Sequence, residues 1–303
     1  MAWFKGNIHS HSATSDGDIG INGVVFWYAS RGYDWLAITD HNIGLNAARA
    51  ERLSEGFNIL VIPGIEVTGT GHVVGLGVSD NYENPKNLRQ PDVKDSLQTA
   101  VTWIREKGGL PVLAHPNWGN VYDASVMAQI EGCNLFEVHN GAPDCNTFAA
   151  GGEQGTDEKW NDLLNLGHKY YGLGGDDSHH FLPEKFNSGH SMAHGGNSAT
   201  HVNCEKLDVP SVLRALETGN CVVSSGGNPV KVGLDGNQYI VEVDDPYPGF
   251  KFTTEFVGPE GTLAKIHGRK TAFTIPPGTK WVRARVFCSS GRYMWTQPVW
   301  PDF

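Results

Sequence analysis

Up to about residue 225, short apolar runs of β character alternate with amphipathic stretches, and a loop rich in His, Asp or Asn follows most of the runs. The pattern predicts strands over residues 4–8, 35–39, 59–62, 72–78, 110–114, 134–139, 170–173 and 221–224. Helices are expected near 22–31, 44–55, 93–107, 122–131, 158–166 and 209–218. This is the rhythm of βα units. The last helix has the clearest ends: Asp208 can cap it, Pro210 falls in its first turn, and Gly219 stops it. After Gly226 the pattern becomes alternating and β-like (VKVGLDG, YIVEVDD, FKFTTEFVG, TAFTIPP, KWVRARVFCSS), with Gly, Pro and Asp turns between the runs. A small antiparallel β-sandwich over 227–303, behind an α/β unit over 1–226, is the expected organisation.

Composition narrows the function classes. The 303 residues are 18% charged and 39% hydrophobic, the balance of a folded domain with a substantial core. A net charge of -10 and the lack of a Lys/Arg run disfavour a long nucleic-acid partner. No apolar stretch is long enough to span a bilayer and the start has no signal-peptide layout, so a cytoplasmic location is expected. The five cysteines (Cys133, Cys145, Cys204, Cys221, Cys288) form no C-x-x-C pair, which argues against a disulfide framework and a thiolate zinc site. Twelve of thirteen histidines lie at or before His201. The chemistry is therefore expected in the first unit.

His9 and His11, in NIHSHS, follow a predicted strand, and residues two apart on extended backbone point to one side. Such a pair can grip a metal ion, although a lone H-x-H is equally often structural. Asp16 either folds back toward the pair or serves as an Asp-Gly turn residue. Asp40 and His41 end the run WLAIT, Glu66 lies in PGIEVT, His115 in LAHPNW, Glu137 and His139 in FEVHN, and Asp177 with His179 in GGDDSHH. In barrel-like βα folds such strand ends converge on one face. Imidazoles with several carboxylates suit zinc, manganese or iron, and favour two or more ions. Metals roughly 3.5–4 Å apart can activate water and neutralise charge on a phosphoryl oxygen, so hydrolysis is the expected chemistry.

With HSHS and Asp16, TDHN, GIE, AHP and the D-x-H of DDSH in this order, residues 4–225 resemble the polymerase and histidinol phosphatase (PHP) metallohydrolases. The resemblance implies a distorted (βα)7 TIM-like barrel with up to three metals. It implies His9, His11, Glu66 and Asp177 around a first ion, with Glu66 bridging to a second ion bound by His115. A third would take Asp16, His41 and His179. His139 is the nearest candidate for the remaining ligand of the second ion. GNSATHV, VLRALETGN and VVSSGGNPV, with the β-rich tail, look like the branch that includes carbamate hydrolases.

Asp40 points away from His41 on extended backbone and is read as orienting a ligand rather than binding metal. Asp176 and His180 are likewise read as non-ligands, and His72 is either a core histidine or a neighbour of the site. His190, His194 and His201 lie in a Gly/Ser/Asn-rich stretch read as a cover over the metals. Of these, His194 and His201 are the candidates for protonating a leaving group. The leading expectation is a phosphoesterase that cleaves small mono- or diesters with a hydroxide held by two or three divalent ions. Its weak point is the shortage of phosphate-binding arginines. An amide, carbamate or carboxylic-ester hydrolase with the same centre is the alternative. A non-catalytic binding protein using Trp281, Tyr293, Trp295 and Trp300 is the third.

Overall fold

The structure is a computed structural model that describes residues 1–182 and 193–302. Its main sheet has thirteen strands, and its first part runs β1 (Ala2–Asn7), β2 (Trp35–Ile38), β3 (Leu60–Thr68), β4 (His72–Leu76), β5 (Leu110–Leu113), β6 (Leu135–Asn140) and β7 (Tyr171–Gly175) in spatial order. β1, β2 and β3 are mutually parallel, as are β5, β6 and β7, while β4 is antiparallel to both of its neighbours. All four residues of β2 and of β5 are buried, as expected of strands covered on both faces. Helices α1 (Ile21–Ala29), α2 (Ala47–Phe57), α3 (Val93–Glu106), α4 (Ala124–Met127), α5 (Thr156–Asn165) and α6 (Val209–Glu217) supply the covering. At α6 the Asp208 carboxylate accepts the Ser211 N–H at 2.9 Å, and Gly219 turns out of the helix at φ 71°.

Two elements depart from the sequence expectation. Residues 59–62 and 72–78, expected as separate strands of βα units, belong to one hairpin. Only Gly69, Thr70 and Gly71 join β3 to β4, too few for a parallel crossover. β3 also runs on through Pro63 and Gly64, because Ile65 and Val67 remain fully buried. The segment around His201, expected to be loop, contains strand β8 (Ala199–Cys204), which pairs antiparallel with β1.

The sheet does not close into a continuously hydrogen-bonded barrel among the described residues. β7 and β8 meet instead through the Thr200 hydroxyl, which accepts from Gly174 N at 2.8 Å and donates to Gly174 O at 2.9 Å. Beyond β8 the same sheet continues through β9 (Cys221–Ser224), β16 (Tyr293–Thr296), β15 (Arg283–Cys288), β12 (Phe252–Gly258) and β13 (Gly261–His267). A second sheet of β10 (Asn228–Asp235), β11 (Gln238–Asp244) and β14 (Lys270–Thr274) shares a core with it, built from Tyr239, Val241, Phe252, Phe256, Val286 and Met294. The tail thus has two β layers, but one of them is an extension of the main sheet rather than a separate sandwich sheet. Trp281 and Trp295 are 1% exposed and lie in the core, which removes them from any binding surface.

Arg283, fully buried on β15, joins the tail to α5. Its Nη1 lies 2.7 Å from Asp157 Oδ1, and its Nη2 donates to Asn161 Oδ1 at 2.6 Å.

Candidate metal centre

Six parallel strands end on one side of the sheet, and so does the first residue of the antiparallel β4. That end carries His9 and His11 after β1, Asp40 and His41 after β2, Glu66 near the end of β3, and His72 at the start of β4. It also carries His115 after β5, and Asp177 and His179 after β7. Short parallel bridges, Ser10 to Ser178 and His41 to Glu66, hold these extensions in register.

The side chains converge into overlapping groups whose ligand atoms lie within 4.8 Å of one another: His11, Asp16, His41 and His179; His9, His115 and Asp177; His9, His11 and Glu66; and Glu66, His72 and His115. Glu66, 1% exposed, divides its two oxygens between imidazoles. Oε2 is 3.4 Å from His9 Nε2, 3.4 Å from His11 Nε2 and 2.8 Å from His41 Nδ1. Oε1 is 2.9 Å from His72 Nδ1 and 3.1 Å from His115 Nε2. Asp177 Oδ1 lies 3.4 Å from His9 Nε2 and 3.2 Å from His11 Nε2. Asp16 faces His41 Nε2 at 3.3 Å and His179 Nε2 at 3.4 Å. His115 and Asp177 adopt left-handed backbone at φ 28° and 50°, a conformation rare outside Gly and found where a site demands it.

Whether these residues suit a cation is tested by atoms that lack partners. His9 Nε2 and both ring nitrogens of His11 are buried without a hydrogen bond. Such atoms cost roughly 1–3 kcal/mol each unless something else satisfies them. The distances of 3.4 Å from Glu66 Oε2 to His9 Nε2 and to His11 Nε2, and of 3.2 Å from Asp177 Oδ1 to His11 Nε2, are close to the roughly 3.3–3.4 Å between ligand atoms of a tetrahedral ion with bonds of about 2.0–2.1 Å. The donor set fits zinc, manganese or iron. A neutral imidazole has one lone pair to give, so His11 can serve only one of its two groups.

The electrostatics describe a carboxylate-rich pocket crowded with bases. Burial alone would raise the Glu66 carboxyl, but the fields of His9 and His72 and the His115 and His41 contacts hold it well below the usual range. Asp177 is depressed in the same way, chiefly by His9 and His11 acting against burial. Asp16 is lowered by His179 and His41 against its own desolvation. Burial opposes protonation of His41, yet Asp16 and Glu66 raise it to about 10. His11 goes the other way, pushed by burial down to about 4.

Around the cluster lie residues that position it. Asp40, read as an orienting residue, accepts from Ser12 N, Ser12 Oγ and Ser15 Oγ, each at 2.8 Å, and so braces the loop between His11 and Asp16. Asp176 accepts the N–H groups of Gly196, Asn197 and Ser198; burial outweighs these bonds and raises it to about 6. Glu137, fully buried, pairs with His9 Nδ1 at 2.8 Å and accepts the His115 N–H at 2.9 Å.

Two expected site residues lie elsewhere. His139 is outside the groups of metal-type ligands: a bulge after Glu137 turns it toward Ser198 Oγ, 2.8 Å from its Nδ1, and onto the Trp295 ring. Burial lowers it to about 4. His201 is in β8, 3% exposed, on a different cavity from the metal cluster. His194 is half-buried and forms an isolated bridge with His180. His190 lies outside the described residues. His72 belongs to the cluster; its place on an antiparallel strand hid it from a reading based on parallel strand ends.

A cleft of about 540 Å³ opens onto the cluster, lined by His41, His72, His115, Trp118, Cys145 and His180 among others. Among the described residues, no Lys or Arg lines it.

A structural comparison aligns 98% of this chain with 88% of a two-domain protein of Bacteroides vulgatus described as containing a predicted PHP-like metal-dependent phosphoesterase. The TM-score is 0.55 and the identity 16%. The chain has a PHP-like fold. No family model matches it. Among curated proteins it is 31% identical over 87 residues to an uncharacterized protein of Methanocaldococcus jannaschii, covering 28% of this chain and 46% of that protein. It is 33% identical over 81 residues to a phosphoribosyl 1,2-cyclic phosphate 1,2-diphosphodiesterase of Eggerthella lenta, covering 24% and 31%. The matches thus span less than half the length of these curated relatives. No helix among the described residues is long and apolar enough to cross a membrane.

Proposed function

We propose that this protein is a metal-dependent hydrolase of small phosphate mono- or diesters, working at a di- or trinuclear centre. The observation that carries the reading is the set of buried ring nitrogens of His9 and His11 that lack a hydrogen bond and face Glu66 and Asp177, two carboxylates that line an open cleft. Residues 1–226, as a distorted (βα)7 barrel left open between β7 and β8, would hold the chemistry, and the two β layers over 227–303 would support it.

In this reading His9, His11, Glu66 and Asp177 hold one ion. Glu66, one oxygen toward each set of imidazoles, shares a second with His115, and His72 takes the place expected for His139. Asp16, His41 and His179 hold a third. Divalent zinc, manganese or iron at these positions would supply a nucleophile from water at neutral pH and neutralise charge on the phosphoryl oxygens. Glu137 fixes the His9 ring, and Asp40 holds the Ser12–Ser15 loop. His180 lines the cleft with its Nδ1 3.7 Å from Asp18 Oδ2, placed to move a proton to a departing alcohol. Trp118, 42% exposed, forms a wall beside His72 and His115 that a substrate can pack against.

The absence of Lys and Arg among the described residues that line the cleft favours a second reading, in which the same centre cleaves an amide, carbamate or carboxylic ester. Metal analysis of the purified protein, followed by assays of a phosphoester and carbonyl-ester panel after Zn, Mn or Fe reconstitution, separates the two. Turnover of phosphate esters that is lost on chelation and restored by metal is expected. Turnover confined to carbonyl substrates would select the second reading, and a protein that binds less than one ion per chain would overturn both.

A further inference from the structure

Two segments that the metal cluster leaves unused, GNSATHV and VVSSGGNPV, meet where β1, β8 and β9 face the tail. Between them lies a cavity of about 500 Å³ that shares no lining residue with the metal cleft. Three basic side chains line it: Lys5, His201 and Arg292. Lys5 and His201 are direct register partners on β1 and β8. Lys5 Nζ lies 3.9 Å from the Tyr33 ring centroid, and neither Lys5 nor Arg292 forms an ion pair among the described residues. His201 is 3% exposed, and its imidazole finds no hydrogen-bond partner among those residues. It is one of the residues that line the cavity.

The Arg292 side chain packs against the turn after β9. A Cβ on Gly226 would fall 2.1 Å from Arg292 Cδ, so in its present rotamer the arginine lies directly across the glycine. Opposite stand Tyr247 and Phe250, ring centroids 4.7 Å apart, and Asp245, whose Oδ1 is occupied by the Tyr247 N–H at 2.9 Å. An ammonium and a guanidinium around one concavity, with a neutral imidazole able to donate a hydrogen bond, face one lining carboxylate, Asp245, and favour an anion even with Asp34 and Asp176 near Lys5. A volume of this size admits a small molecule rather than a bare ion.

We propose that this cavity binds a small organic anion, its phosphate or carboxylate group held by Lys5, Arg292 and His201 and its apolar part against Tyr247 and Phe250. The site is separate from the metal centre and does not depend on the hydrolase reading.

Calorimetric titration of the metal-loaded protein with phenylphosphonate and, separately, with benzoate tests it. At least one probe should show a binding event that survives Glu66→Gln but weakens tenfold or more in Lys5→Ala and in Arg292→Gln. The probe that binds reports whether phosphate or carboxylate is preferred. If Lys5→Ala fails to fold, Arg292→Gln carries the test, because Arg292 is exposed on a turn. Absence of any event that survives Glu66→Gln, or a surviving event unchanged in Arg292→Gln, would overturn the site.

Discussion

Glu137 meets His9 at 2.8 Å, carboxylate Oε1 to ring Nδ1, while its other oxygen accepts the His115 backbone N–H at 2.9 Å. One buried carboxylate therefore aims Nε2 of His9 at Glu66 and Asp177 and helps hold His115 in its left-handed backbone. Glu137→Gln keeps the shape but loses the charge, and should lower metal affinity or activity about 10–100-fold. Unchanged metal affinity in a competition titration would show that His9 is oriented by packing alone.

Glu66 should be far less tolerant. Its two oxygens face two sets of imidazoles, and an amide would leave neighbouring cations repelling each other in a poorly solvated site. Glu66→Gln is expected to lose at least one ion per chain, counted by elemental analysis, and several orders of magnitude in turnover. Asp40→Asn, which touches only the Ser12–Ser15 loop, should retain its full metal count. A Glu66→Gln protein with normal metal content would refute the shared-ligand assignment.

His201 makes stability depend on pH. Burial, assisted by the charge of Lys5, lowers its folded-state pKa to about 3 from an ordinary 6.5. Below pH 6.5 the unfolded chain takes up a proton that the folded chain refuses, so the contribution is complete above pH 6.5 and is lost as pH falls toward 3. The full span is worth a few kcal/mol, at about 1.4 kcal/mol per pH unit. Urea denaturation of His201→Gln should show a shallower decline between pH 6.5 and 4 than wild type. Parallel declines would exclude His201 as a source of acid sensitivity.

The junction between α5 and the tail should be sensitive at Asp157. Removing it strands the fully buried Arg283 without its carboxylate, a change that costs on the order of 3–5 kcal/mol. Asp157→Ala is therefore expected to lower Tm by many degrees, and Arg283→Met, which removes the buried charge, by less. Equal losses in thermal denaturation would show that packing of the arginine stem, not its charge, matters here.

Much of the centre was legible because each of its parallel strands announces itself as an apolar run followed by its ligand: His9 and His11, His41, Glu66, His115, Asp177 and His179. The departures have local causes. His72 sits at the same end only because β4 runs antiparallel, which depends on a three-residue turn and not on the pattern of β4 itself. His139 follows Glu137 by two residues and would share its face on regular backbone, but the bulge at Val138 breaks that alternation. Glu137 reads as a ligand by type and is spent instead on His9 and His115. His201 was hidden by its Gly, Ser and Asn neighbours, which mask a strand held by pairing with β1, nearly two hundred residues away.

That distant pairing has a kinetic side. β1, which carries His9 and His11 at its end, is an inner strand whose second neighbour is not synthesised until residue 204. Contacts of such sequence separation form slowly, after local helices and hairpins. Metal added during refolding should accordingly raise the yield of native protein without accelerating the slowest phase; acceleration in proportion to metal concentration would show that ions assemble the sheet rather than arrive after it.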